Sequence, residues 1–394
     1  MHIYIVMDNF YPNGKASTAR VRCYGKGFIN HGVKTSVLLP RPRFRHCEKN
    51  LNPEKEGIDK YGIYYRNMAG TSQRSNNVVI RKIVDLYGSI VTLFYLLIHL
   101  KKEDKVVLYE GGCTWFLLTI FVCHLKGVQV GMELNELPFA TGIENKIREK
   151  RRKRMLNNVF PHFDFFFVIS ESLSHLAKQY APRAKVLKVP IIVESQLTGD
   201  DFPVQPIPYL FHSGSLFEQK DGICGMIEAF GIACSELDQS IEYVFTGNLE
   251  DSPHAEEIGK IIRKYNIGDR VRFVGYLSIK ELRMYQKNCF ATIINKYDTM
   301  QNKYCFSTKL GEYLSFSKPV ITTTVGEANV YLKDNVNAFV VEPHRPELIA
   351  EKIVFAFKHP DIALKVGKKG HELTEREFNC DYQTSMILQN IKMN

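Results

Sequence analysis

Short apolar runs alternate with stretches of helical periodicity from one end of the chain to the other. Ile3-Tyr4-Ile5-Val6-Met7 has the length and continuity of a strand buried on both faces. A turn-rich loop, Asp8 to Ser17, leads into a helix expected over Thr18 to His31, with Gly32 as its C-cap and a strand over Lys34 to Leu39. Strand, loop, helix and strand form a βαβ unit, and the loop after the first strand lies where ligands of such folds bind. The same alternation predicts strands at Lys105 to Tyr109, Gln129 to Leu134 and Phe165 to Ile169, with a helix over Trp115 to Leu125. Residues 40–78 read as polar and irregular, with one strand near Ile63 to Tyr65.

After residue 208 the rhythm starts again. Strands are expected at Tyr209 to His212, Ile241 to Thr246, Val271 to Val274, Ala291 to Ile294 and Val320 to Thr324. Helices are expected at Ile223 to Ala233, Ala255 to Tyr265, Lys280 to Lys287, Glu347 to Phe357 and Tyr382 to Ile391. Between the halves, Lys188 to Pro208 holds four prolines and little periodicity, as an interdomain linker does. The fold class predicted is α/β, two Rossmann-like domains with a cleft between them. The domains expected are 1–195 and 205–375, with a closing helix in 376–394 that returns to the first.

Two segments break the alternation. Ile83 to Leu100 is a nearly continuous apolar helix at the lower length limit for crossing a bilayer, weakened as a span by Asp85, Gly88 and His99. A buried helix, or one partly exposed to lipid, is the expectation. Glu144 to Asn158 carries Lys146, Arg148, Lys150, Arg151, Arg152, Lys153 and Arg154 on a helical pattern. A solvated face is one reading of that run, and docking on anionic lipid the other.

At 394 residues and 45% hydrophobic content the chain is globular and long enough for two domains. The net charge of +10 is unevenly placed: residues 1–200 hold 30 Lys/Arg against 17 Asp/Glu, and residues 201–394 hold 22 against 25. The basic half is suited to an anionic membrane surface or an anionic acceptor. Its basic run has no interleaved aromatics to stack bases, so nucleic acid is not an expected partner. The nine cysteines are scattered without a Cys-x-x-Cys pair, which fits reduced thiols in a cytoplasmic setting and argues against a zinc site. The N-terminus reads as a first strand and not as a signal peptide.

The densest chemistry lies in Tyr304 to Glu327. Phe306-Ser307-Thr308 is a hydroxylated loop feeding a short helix with Lys309 and Glu312. Unpaired N–H groups at such a helix start suit phosphate, the lysine adds charge, and the glutamate can accept from a sugar diol. An ordinary loop–helix–strand connection fits the same letters.

Four landmarks in order across 209–341 resemble the donor domain of glycosyltransferase family 4, which has the GT-B fold of two facing Rossmann-like domains. They are Gly214 with Lys220-Asp221-Gly222, Gly247 after a strand, Val271 to Gly275, and Lys309-Leu310-Gly311-Glu312-Tyr313 with Lys318-Pro319-Val320-Ile321. The first half matches more loosely, through its glycine-bearing loop, Glu133 to Glu136, and Val168-Ile169-Ser170.

The resemblance implies a retaining, metal-independent transfer from a UDP- or GDP-linked sugar, with no cofactor. The acceptor would be a lipid-linked saccharide in bacterial surface polysaccharide synthesis at the inner membrane face. Lys220 would neutralise the diphosphate leaving group and Glu312 would hold the ribose hydroxyls. Phe306, Ser307 and Thr308 would meet the phosphates through backbone N–H groups, with Lys309 supplying further charge. Gly275, Tyr276 and Leu277 would line the base, Gly14 would let the first loop approach the donor, and Gly214, Ser215 and Gly247 would belong to the donor site. Ser215 stands where the family often has Arg, and Tyr304 where it often has Glu. Glu136, Asn135 and Glu110 are candidates for a base on the acceptor side. A sugar-nucleotide 2-epimerase of the same fold, or a non-catalytic sugar-nucleotide-binding or scaffold protein, are the alternatives.

Overall fold

A computed structural model describes residues 1–45, 50–140, 145–194, 207–214 and 216–391. The chain divides into two compact units, one of Met1–Ile192 with Cys380–Asn394 and one of Val193–Asn379. The proline-bearing stretch read as a linker lies mostly outside the described residues, as does Glu144 at the start of the basic helix.

Unit 1 begins with β1 (His2–Met7), α1 (Ala16–Asn30), β2 (Lys34–Leu39), β3 (Phe44–Arg45), β4 (Glu56–Ile58), β5 (Tyr64–Asn67) and β6 (Gln73–Arg74). It continues with α2 (Val78–His99), β7 (Lys105–Tyr109), α3 (Cys113–Leu125), β8 (Gln129–Leu134), α4 (Lys146–Asn158), β9 (Phe165–Val168), α5 (Glu171–Tyr180) and β10 (Lys185–Lys188). Its eight-stranded sheet has the order β10-β9-β8-β7-β1-β2-β5-β4, parallel throughout except for β4 at the edge. The central strands are apolar because both faces are covered: Ile3 to Met7 and all five residues of β7 are buried. Residues 40–78 are more structured than their polarity suggests. β3 and β6 pair with each other, and β4 turns back on β5.

Unit 2 contains β11 (Tyr209–His212), α6 (Glu218–Asp221), α7 (Ile223–Cys234), β12 (Glu242–Phe245), α8 (Ala255–Lys264), β13 (Val271–Phe273), α9 (Ile279–Asn288) and β14 (Ala291–Ile294). Then come α10 (Met300–Tyr304), α11 (Thr308–Leu314), β15 (Val320–Thr323), α12 (Ala328–Tyr331), β16 (Phe339–Val341), α13 (Pro346–Lys358) and α14 (Pro360–Glu375). Its six strands, β13-β12-β11-β14-β15-β16, are all parallel. The core gathers Tyr243, Phe245, Ile293, Ile321 and Phe339 from one face of that sheet, with Phe230 of α7 packed among them.

The last helix, α15 (Cys380–Ile391), belongs to unit 1 and packs on α1. Gly27 permits the contact, since a Cβ there would stand 2.2 Å from Thr384 Oγ1. Ile387, Leu388 and Ile391 then join Val21, Tyr24 and Phe28 in one core.

Of the two expectations for the apolar helix, the buried one does not hold. Asn77 caps α2 by accepting from the N–H groups of Val79 and Ile80, so the helix starts five residues earlier than the apolar pattern suggests. It is not a buried helix: only Gly88, Thr92 and Leu96 are buried along its length. Of the described helices it is the one long and apolar enough to cross a membrane by length and composition.

Candidate functional site

In an open parallel sheet the ligand crevice forms where adjacent connections leave in opposite directions. In unit 2 that point lies between β11 and β14, because β12 flanks β11 on the other side. Three segments meet there. His212-Ser213-Gly214 leaves β11, Asn295-Lys296 leaves β14, and Glu218–Asp221 forms the short turn of α6.

Asp221 is the hub. It is buried, with Lys309 Nζ at 2.8 Å and Lys296 Nζ at 2.9 Å from its Oδ1. Burial alone would raise the pKa of this carboxyl; Lys309 and then Lys296 outweigh it and hold Asp221 well below the usual carboxylate range. Burial also lowers the pKa of Lys309, and Asp221 opposes that shift. Lys296 Nζ donates as well to the carbonyl of Lys220, whose own side chain is exposed. Three lysines (220, 296 and 309) against one aspartate leave two positive charges at the crevice.

The backbone is shaped around this cluster. Gly222 is left-handed (φ 60°), and a Cβ there would approach Asn295 Nδ2 to 2.5 Å, while that amide donates to the Gly222 carbonyl at 2.9 Å. A Cβ on Gly214 would lie 2.2 Å from Lys309 Nζ, so this glycine makes room for the ammonium. Tyr313, fully buried on α11, accepts the Ser213 N–H at 2.8 Å, and the Gly214 N–H donates to Thr246 Oγ1 at 3.0 Å. Lys296 is fixed through its backbone: its N–H donates to Thr323 Oγ1, and that hydroxyl donates back to the Lys296 carbonyl. His212, buried behind the cluster, is kept neutral, its pKa pushed down to about 3 by burial and by Lys309.

Glu312 follows Lys309 by one turn of α11 and is half-buried, accepting from Gln286 Nε2 at 3.3 Å. Burial raises its pKa, against the Gln286 hydrogen bond and the charges of Lys309 and Arg283. Phe306 is a core anchor: it is buried and stacks on Tyr331 at 5.4 Å, so only its backbone can serve a ligand. Ser307 is the N-cap of α11 without a side-chain cap bond, and Thr308 opens the helix. Beneath them a cavity of about 20 Å³ is lined by Ile294, Lys296, Phe306, Ser307, Leu310 and Val325.

Gly247 and Gly275, at the ends of β12 and β13, are bridged by an N–H···O bond of 2.7 Å. Beyond them Tyr276 is 79% exposed and donates to Asp251, and Leu277 is half-buried. Ser215 lies outside the described residues.

In unit 1 the carboxyl ends of β1, β7 and β8 deliver a second polar edge. Asn9 Nδ2 donates to both oxygens of Glu110 at 3.1 Å, and Asn135 Nδ2 donates to the Tyr109 hydroxyl at 2.6 Å. Burial raises the Glu110 pKa; Asn9 and Arg43 oppose this, and Asp8 and Glu136 add to it. Glu136 is exposed. The structure thus brings Glu110, Asn135 and Glu136 to one edge. Glu133, two residues before Asn135, has a different setting. It is buried against Arg20 at 2.6 Å and accepts from Tyr24, with Arg20 also donating to the carbonyls of Val189 and Pro190. Gly14 is exposed and makes room for its own loop, since a Cβ would meet Thr18 Oγ1 at 2.1 Å.

Sequence reasoning passed over Lys296 and Asp221 as site residues, together with Tyr313 and Gln286. For Lys296 a signal existed: a cation two residues past the strand that flanks β11 is where the crevice rule places ligand-binding groups.

Residues 203–373 match the family model described as glycosyl transferases group 1. No curated protein matches the chain in sequence. Solved structures are similar in fold over the full length. Sucrose-phosphate synthase of Thermosynechococcus elongatus is 15% identical, with 100% of this chain and 98% of that one covered and a TM-score of 0.74. HepE of Anabaena, solved in complex with UDP-glucose, is 12% identical over 100% of both chains with a TM-score of 0.72. The trehalose-6-phosphate synthase OtsA is 13% identical, covering 100% and 99%, with a TM-score of 0.70. Residues 203–373 are therefore a group 1 glycosyl transferase domain, and the chain that carries it is a glycosyltransferase of GT-B fold.

Proposed function

We propose that the protein transfers a sugar, with retention and without a metal ion, from a UDP- or GDP-linked donor to a saccharide acceptor, one that is lipid-linked. The observation that carries the reading is the Asp221–Lys296–Lys309 cluster with Lys220 at the sheet crevice of unit 2. A leaving nucleoside diphosphate gains negative charge as the glycosidic bond breaks, and fixed cations aimed at it lower the barrier. Lysines held by Asp221 provide that charge without a divalent ion. Glu312, one turn along α11 from Lys309, takes the ribose hydroxyls. Glu110, Asn135 and Glu136 form the acceptor edge in unit 1. HepE, similar in fold, is solved with UDP-glucose, which supports a uridine donor as the first to try. The setting proposed is the cytoplasmic face of a bacterial inner membrane, in surface polysaccharide synthesis.

A chelator titration tests the metal claim. Transfer from the accepted nucleotide sugar should keep its rate in excess EDTA, and loss of activity restored by a divalent cation would overturn it.

A further inference from the structure

The amphipathic logic of α2 is inverted. A helix on a globular unit normally turns its apolar stripe inward. Here Val79, Ile83, Leu86, Ile90, Phe94 and Ile98 recur at helical spacing along one face, and all six are exposed, Ile98 at 71%. The inward face is Gly88, Thr92 and Leu96. Gly88 seats the helix on the loop after β2, where an added Cβ would lie 2.0 Å from the Pro40 carbonyl oxygen. Alongside, α3 packs against α2 and also exposes Leu118, Phe121 and Leu125, spaced i, i+3, i+7. The result is a two-helix apolar surface far beyond scattered exposed residues.

α4 packs beside α3. Between residues 146 and 154 it carries seven Lys/Arg and one acid, Glu149, which pairs with Lys153. Seven minus one leaves six positive charges next to the apolar surface.

We propose that the α2–α3 face docks this protein on an anionic lipid bilayer, lying in the interfacial plane with α4 as its electrostatic rim. Charge complementarity selects the occupant. A second copy meeting this face across a two-fold axis would bring two such basic helices towards one interface, where like charges repel. A membrane-spanning role would strip α2 from the Gly88 seat. The docking surface deepens the lipid-linked acceptor reading by naming what holds the enzyme at its acceptor, and it is tested without the transfer reaction.

The full chain is floated with phosphatidylcholine vesicles containing about 30 mol% phosphatidylglycerol and with pure phosphatidylcholine, across a salt series. Binding should favour the anionic vesicles and weaken with salt. L86E/F94E/F121E should lower the partition coefficient at least tenfold. K150Q/R151Q/R154Q should lower it by on the order of a hundredfold at low salt, since each basic residue is worth about fivefold near an anionic surface, and should flatten the salt response. Calorimetric binding of nucleoside diphosphate to the same variants should be unchanged, which establishes that they are folded. It also separates failure of docking from failure of the donor-site reading. The proposal is overturned if the wild type ignores anionic vesicles or if the variants bind as it does. It is equally overturned if sedimentation shows a dimer that L86E/F94E/F121E splits without vesicle binding, or if alkaline carbonate cannot extract the protein.

Discussion

Replacing Asp221 by Asn keeps the shape of the cluster and removes its charge. Two ammonium groups then face each other with no anion between them, on side chains only 12% (Lys296) and 18% (Lys309) exposed. Removing one partner of a buried ion pair costs about 3–5 kcal/mol, because the survivor keeps its desolvation penalty. The cost has a ceiling. A lysine can shed its proton, and neutralising a group of ordinary pKa 10.5 at pH 7 costs about 5 kcal/mol. Asp221→Asn should therefore destabilise unit 2 by about 3–5 kcal/mol at pH 7.

The pH dependence gives that number a signature. Asp221 has a depressed pKa in the folded chain, so its contribution is present above the unfolded value of 3.8 and lost as pH falls through the lower folded value. The wild type loses this stability below about pH 4 and the variant has none to lose. On the alkaline side Lys309 in the variant has lost the carboxylate that raises its pKa. Its folded pKa drops further below 10.5, and the unfolded state then binds more protons than the folded one. The variant regains up to about 1.4 kcal/mol per pH unit between that lowered value and pH 10, so its deficit narrows from pH 7 to pH 9. Denaturation followed by far-ultraviolet circular dichroism reads the change. The single tryptophan, Trp115 on α3, reports unit 1 as an internal reference. A deficit below about 1 kcal/mol that ignores pH would refute the ion cluster, since it would equal an ordinary surface pair.

Three further outcomes are expected. Lys220→Ala and Glu312→Ala should each lower kcat/KM for transfer at least tenfold, about 1.4 kcal/mol of transition-state stabilisation, and unchanged steady-state kinetics would remove the roles given to them. In unit 1, Arg20→Met should cost about 3–5 kcal/mol because Glu133 stays buried with only Tyr24. Arg20→Met/Glu133→Leu should recover most of that loss. A double-mutant cycle on the Trp115 fluorescence melt measures both, and an additive result would show that the pair is not coupled.

The parallel strands were legible because burial on both faces leaves unbroken apolar runs. Lys34 to Leu39, Lys105 to Tyr109 and Ala291 to Ile294 fall where the pattern puts them. α14 was not. No element was expected there, and Gly367 and Gly370 let the helix press on the Ser317 and Asn337 carbonyl oxygens, where Cβ atoms would stand 2.4 and 2.6 Å away. Packing of backbone on backbone leaves no hydrophobic signal. The same division holds in the candidate site. Lys309 and Glu312 share one helix, and local spacing relates them. Asp221 and Lys296 lie 75 positions apart and meet only through the register of β11 with β14. The exposed face of α2 stayed open for a third reason: apolar periodicity shows that a helix has a greasy side and not which way that side points.

The central claim is that the lysine cluster on Asp221 receives the diphosphate of the donor. Titration calorimetry of UDP and GDP, each against its nucleoside, on the wild type and on Lys296→Ala tests it most directly. The account predicts that one diphosphate binds far more tightly than its nucleoside. Lys296→Ala should then lose at least tenfold, about 1.4 kcal/mol, for the diphosphate and nothing for the nucleoside. Diphosphate binding by Lys296→Ala as tight as by the wild type would contradict it.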